Sequence, residues 1–162
     1  TEVLIGYVRE QARSGIDALQ IFDSWNALCP DSHLQEWSLK WIDQIAKEVS
    51  SIVPVILYAK TPSQRLNLLS NCEVSGISID NETDLKFART TLPSHFTLQG
   101  NLDPALMETD EVTVRKTTQE LLNRMKGDKG HILNLGHGIR PQAKVECMKS
   151  LVNTVLEYPE KE

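Results

Sequence analysis

His131-Ile132-Leu133-Asn134-Leu135-Gly136-His137-Gly138-Ile139-Arg140-Pro141 runs from a short apolar segment into two glycines that bracket a histidine. A helix is expected next, over residues 143–157, with Val145, Met148, Val152, Val155 and Leu156 apolar. The stretch therefore reads as strand, loop, helix, with Ile132 to Leu135 as the strand. That order puts His137 at the C-terminal end of a strand. Flanking glycines let the backbone turn sharply and let a ligand approach closely. In α/β folds the C-terminal strand ends are where ligands bind. Spacing alone also fits a plain strand-to-helix turn carrying a surface histidine.

The same alternation repeats upstream. A helix is expected over residues 2–14, stopped by Gly15, and then a strand from Asp17 to Phe22. Residues 34–50 read as a helix, with Leu34, Trp37, Trp41, Ile45 and Val49 on one stripe, and its tryptophans are expected in the core. Further strands are expected at Val53–Tyr58, Gly76–Ile79 and Phe96–Gln99. Helices are expected near residues 63–70, over Asp84–Thr90 and over residues 110–126, the last with Val112, Leu121, Leu122 and Met125 inward. The strands are short apolar runs rather than alternating ones, as in a covered parallel sheet. Two α/β architectures fit five such units: a doubly wound sheet, or part of a (β/α)8 barrel. No glycine-rich dinucleotide fingerprint or Walker-type loop follows any strand, which weakens the doubly wound nucleotide-binding reading.

Composition narrows the function classes. The chain has 162 residues, enough for one domain with a sizeable core. Its formal net charge is -5, so no global basic field points to nucleic acid or an anionic membrane surface. No apolar run is long enough to span a bilayer. There is no signal-peptide pattern, although the chain starts at Thr1 rather than Met. Cys29, Cys72 and Cys147 are widely separated, without a C-x-x-C pair, so a zinc site has little support. Three unclustered cysteines fit a reducing, cytoplasmic location.

The strand ends carry a set of motifs. Phe22-Asp23-Ser24-Trp25 follows the first strand, and Tyr58-Ala59-Lys60 ends the second. Ser78-Ile79-Asp80 ends the third, Leu98-Gln99-Gly100-Asn101-Leu102-Asp103-Pro104 the fourth, and Asn134-Leu135-Gly136-His137-Gly138 the fifth. In this order and spacing they resemble the C-terminal part of the uroporphyrinogen decarboxylase family, over nearly all of the chain. The resemblance implies a single (β/α)8 barrel working as a homodimer, with residues 1–162 supplying strands four to eight and the helix before them. The first three strands, with a family arginine cluster and an essential aspartate, have no counterpart, so the isolated chain is expected to be inactive. Smaller departures lie at Asn26-Ala27 and Thr61-Pro62-Ser63, where the family usually has glycine, and at Asn81, where it usually has an aromatic residue.

The implied reaction is cofactor-independent removal of carboxyl groups from the acetate side chains of uroporphyrinogen, giving coproporphyrinogen. The tetrapyrrole is then the ligand. Ser24 is implied as a substrate-binding residue and His137 as both substrate-binding and catalytic, with no metal. Read without the resemblance, Ser24 fits a turn or capping serine. Lys60 and Arg140 stand near strand ends, where cations suit an anionic ligand or simply face solvent. Asp23, Asp80 and Asp103 suit hydrogen bonds to loop amides, and Gln99, Asn101 and Asn134 suit loop geometry. His33, His95 and His131 lack comparable context. Two rival readings stand beside this one. A corrinoid-linked methyltransferase of the same superfamily would need zinc-binding His and Cys at strand ends. A non-catalytic fragment or truncated paralogue would act only in assembly, since five of eight strands leave two parallel edges unpaired.

Overall fold

Side chains along a strand alternate between two faces, and this alternation sorts the residues of the sheet. The computed structural model describes residues 1–159. Five strands, β1 (Leu19–Asp23), β2 (Val55–Ala59), β3 (Gly76–Ser78), β4 (Thr97–Gln99) and β5 (His131–Ile132), pair in parallel in the order β1-β2-β3-β4-β5. Leu19, Val55, Leu57, Ile77 and Leu98 point to one face and are buried in the hydrophobic core. Truncating one such residue to alanine costs about 2–5 kcal/mol. Gln20, Phe22, Tyr58, Ser78 and Gln99 point to the other face and line a cavity.

That strictly sequential strand order decides between the two architectures. A doubly wound sheet reverses its strand order at a switch point and carries helices on both faces. Here the order never reverses, and the apolar core occupies one face only. This is the order of a (β/α)8 barrel segment, whose open concave face corresponds to a barrel interior. Among the described residues, β1 and β5 are edge strands, as a five-stranded segment requires.

The helices are α1 (Glu2–Arg13), α2 (Asp31–Leu34), α3 (Lys40–Lys47), α4 (Leu85–Thr91), α5 (Glu111–Arg124) and α6 (Val145–Leu156). Short 3-10 turns at Ser63–Leu69 and Pro104–Glu108 replace a full helix after β2 and lead into α5 after β4. Asp84 and Asp110 cap α4 and α5, accepting from the N–H groups of Phe87 and Thr113, both at 2.9 Å. These bonds hold both carboxyls below the ordinary aspartate range.

Three expectations are corrected. Trp37 and Trp41 are 61% and 40% exposed rather than in the core. The cause is a π-helical turn, Gln35–Leu39, between α2 and α3. Its wider turn moves the inward stripe five residues, from Leu34 to Leu39 and on to Ile42, Ile45, Ala46 and Val49. The tryptophans rotate into an open groove beside β1, shared with Leu4 and Trp25. Second, Val112 is 78% exposed, because capping at Asp110 makes Val114, Thr118 and Leu121 the inward residues of α5. Third, the fifth strand ends at Ile132 rather than Leu135. Its neighbour β4 stops before Gly100, whose φ of 133° breaks the extended backbone. Pairing resumes only as a single bridge between Leu102 and Leu135.

Candidate functional site

The loops after β1 and β5 meet at one cavity. Its volume is ≈ 510 Å³, and it takes in Ser24 from the first loop and His137 from the last. The pairing register explains how its floor forms. Phe22 stands beside Tyr58, Tyr58 beside Ser78, and Ser78 beside Gln99, in one row across four strands. The Gln99 amide donates to Ser78 Oγ at 3.0 Å and to Gln20 Oε1 at 3.1 Å. These bonds use both amide hydrogens of Gln99 and leave the Ser78 hydroxyl hydrogen free to donate. Leu133, Ile139, Met148 and Leu151 supply apolar wall. A polar floor with apolar walls suits an amphipathic ligand.

His137 is exposed at the rim. The Gly138 N–H donates to its Nδ1 at 2.8 Å. With Nδ1 accepting, the neutral ring carries its proton on Nε2 and presents it as a donor. The ring meets Tyr58 edge-on, with centroids 6.1 Å apart and planes at 88°. Phe22 lies on the other side of Tyr58, centroids 6.0 Å apart. Ser24 is also exposed, and its hydroxyl is unengaged among the described residues.

Glycine 136 has a packing reason. A Cβ there would lie 2.2 Å from the Asn81 nitrogen, so the fifth loop rests directly on the third. Gly138 has open space around it, and neither residue has a positive φ. The sharp-turn argument therefore applies to neither. The position needing unusual backbone is Gly100, whose peptide to Asn101 is also cis.

The carboxylates near the strand ends are engaged in internal hydrogen bonds. Asp80 Oδ1 accepts from the N–H groups of Glu82 and Thr83 at 3.2 and 3.0 Å. Asp103 accepts from the Ala105 N–H at 2.8 Å. Asp23 differs from expectation: its Oδ2 accepts from the side chains of Asn26 and Ser38, at 3.0 and 2.5 Å, not from loop amides. Asn101 donates to the carbonyls of Asp80 and Thr83, and Asn134 accepts from the Leu135 N–H, so both fix loops. Gln99 instead belongs to the cavity floor. Neither Lys60 nor Arg140 lines the cavity, and Arg140 pairs with Glu108. His131 is half-buried, its Nε2 2.8 Å from the Gly100 carbonyl, and burial lowers its pKa. His33 stacks on Trp37 and His95 on Phe96, away from the cavity.

Tyr58 is the residue that sequence reasoning passed over. It is 5% exposed, and its buried hydroxyl has no hydrogen-bond partner among the described residues. Burial, then the charges of Asp80 and Glu82, pushes its pKa up, so the hydroxyl keeps its proton. Only its place in the row with Phe22 and Ser78 signals a site residue, and that row becomes legible once the register is known.

A family model described as "Uroporphyrinogen decarboxylase (URO-D)" matches residues 1–158. The chain belongs to the uroporphyrinogen decarboxylase family. Curated relatives of that name include proteins from Flavobacterium johnsoniae, 34% identical over 158 residues, and Protochlamydia amoebophila, 37% identical over 153 residues. The alignments cover 98% and 94% of this chain but 46% and 42% of those proteins. The chain thus spans about half the length of the curated relatives it matches. Among solved structures, a methyltransferase from Methanosarcina mazei superposes with a TM-score of 0.84 over 97% of this chain and 47% of its own. At 20% identity that likeness speaks to the fold of this uroporphyrinogen decarboxylase family member and to nothing finer.

Among the described residues no group of three or more His, Cys, Asp or Glu could hold a metal ion. No described helix is long and apolar enough to cross a membrane.

Proposed function

We propose that this chain is the C-terminal part of a single-domain barrel that decarboxylates the acetate arms of uroporphyrinogen to give coproporphyrinogen, without a cofactor. The observation that carries the reading is that Ser24 and His137, which close the first and last loops of the family match, line one cavity. In this reading Ser24 binds substrate, and His137 binds substrate and acts in catalysis. The protein works as a cytoplasmic homodimer and engages neither nucleic acid nor membrane.

The chemistry follows from the electrons. A carboxylate that leaves as carbon dioxide leaves an electron pair behind. Protonation of the electron-rich pyrrole ring creates an iminium-like sink for that pair. The carbon–carbon bond then breaks, the exocyclic carbon takes a proton, and the ring loses the one it gained. Each acetate arm thus becomes a methyl group with the net uptake of one proton. The chain's own contribution is positional: the His137 Nε2–H and the Ser24 hydroxyl are donors for a substrate carboxylate, and the apolar wall excludes water around the ring. The donor set disfavours the methyltransferase alternative. His137 is the one imidazole among the cavity-lining residues, and no thiol accompanies it.

The test is anaerobic turnover of uroporphyrinogen, with products oxidised and separated. A full-length barrel containing this sequence yields coproporphyrin, and the isolated chain gives negligible turnover. In the full-length barrel, His137→Asn lowers kcat/KM about tenfold to a hundredfold, as expected for a lost hydrogen bond to a charged group, and Ser24→Ala lowers it less. Unchanged kinetics in both variants, or losses that merely follow unfolding, would return both residues to ordinary loop positions.

A further inference from the structure

We propose that Tyr58 is a third ligand-binding donor of this site, its hydroxyl pairing with a carboxylate of the bound macrocycle beside His137 and Ser24. The inference rests on the substrate reading above and adds to it a residue deeper in the cavity.

The argument begins with an orphan. A buried hydroxyl without a partner forfeits its hydrogen bond to water and gains nothing in return. The polar neighbours in its row bond elsewhere: Gln99 donates to Ser78 and to Gln20, and Ser78 keeps a free hydroxyl hydrogen. The Tyr58 hydroxyl is left out of that network. The side chain nevertheless lines the cavity, with the Phe22 and His137 rings beside it at centroid distances of 6.0 and 6.1 Å. Packing of this kind fixes a side chain and readies it for a partner that arrives from outside.

The partner's chemistry follows from the hydrogen-bond inventory. Ser24 offers an unengaged hydroxyl, and His137 offers Nε2–H, since its Nδ1 already accepts from Gly138. Burial, and then the charges of Asp80 and Glu82, raises the pKa of the phenol, which keeps its proton and can donate. Ser24, Tyr58, Ser78 and His137 bear donors in a cavity whose lining holds no Asp, Glu, Lys or Arg. Such a set matches an anionic acceptor, and a carboxylate accepts several donors at once.

Tyr58→Phe tests this. It deletes one oxygen and keeps the ring that lies beside Phe22 and His137. The probe is uroporphyrin, the oxidised, stable form of the macrocycle, titrated into the purified full-length barrel containing this sequence and followed by its absorbance and fluorescence. The wild-type barrel is expected to bind, and the Phe variant to bind about tenfold to a hundredfold more weakly. The variant's melting temperature is expected to be equal or higher, because it sheds an unpaired buried polar group. A wild-type barrel that binds beside a variant of equal affinity would overturn the Tyr58 inference and leave the substrate reading intact. So would a lower melting temperature with unchanged affinity, the signature of a hydroxyl satisfied within the fold or by water. A full-length wild-type barrel that does not bind uroporphyrin would overturn the substrate reading, and the ligand assigned to Tyr58 with it.

Discussion

Gly136→Ala should cost this fold far more than Gly138→Ala, although the two glycines flank the same histidine. At Gly136 the new Cβ would stand 2.2 Å from the Asn81 nitrogen and 2.7 Å from its Cα, where ordinary contact begins at 3.4 Å. One of the two loops must therefore move by roughly 1 Å, and tightly packed interiors resist even small displacements. Neither loop is free to move. Asp80 holds the N–H groups of Glu82 and Thr83, and Asn101 holds the carbonyls of Asp80 and Thr83. On the other side the Gly136 N–H donates to the Leu102 carbonyl at 2.7 Å. Overpacking typically costs about 1–3 kcal/mol, and two pinned backbones put this case near about 3 kcal/mol. For a domain of this size that lowers Tm by roughly 6–12 °C. At Gly138 nothing lies within 4 Å and φ is not positive. Alanine there changes stability by less than about 0.5 kcal/mol, or raises it slightly by restricting the unfolded chain. Thermal melts by circular dichroism and urea melts by tryptophan fluorescence give both values on the same preparations. Equal midpoints for the two variants would refute the packing argument and return Gly136 to a turn residue.

Two further predictions concern groups whose titration burial has shifted. His131 has a lowered pKa in the fold, so the unfolded chain takes up protons more readily as pH drops below the ordinary value of 6.5. Stability is therefore full above about pH 6.5 and declines on acidification toward the folded pKa. His131→Gln should flatten that decline in urea melts across this window, and an equally steep decline in the variant would count against it. Burial of Cys72, with the charge of Asp43, pushes its thiol up to about 12, and burial raises Cys147 as well. At neutral pH iodoacetamide should modify the partly exposed Cys29 first, with mass spectrometry showing Cys72 and Cys147 unmodified until the chain unfolds. Early modification of Cys72 would contradict the packing around it.

Why some of this was legible in the sequence and some was not is a question of range. Each strand end is announced within a few residues: an apolar run, then Ser24, Asp80, Gly100 or His137. Parallel pairing in sequential order then carries those local signals to one end of the sheet, where Ser24, singled out through the family resemblance, and His137 line one cavity. Trp37 and Trp41 failed for an equally local reason. Their spacing matches a 3.6-residue period, but the π-helical turn at Gln35–Leu39 steps the buried stripe from Leu34 to Leu39, and no residue type announces such a turn. Tyr58 failed for the opposite reason. Nothing near it in sequence shows that its hydroxyl goes unpaired. That fact depends on Gln99 bonding to Ser78 one and two strand-ends later, and on His137 arriving from the last loop. Gly136 lies between these cases: the glycine was legible, but its cause was not, because Asn81 reaches it only when the third and fifth loops are stacked. A polar residue at a strand end is thus readable as a candidate from one strand alone. Whether it is left free for a ligand is a property of the neighbouring strands, which makes the unpaired Tyr58 hydroxyl the feature of this site that the fold itself creates.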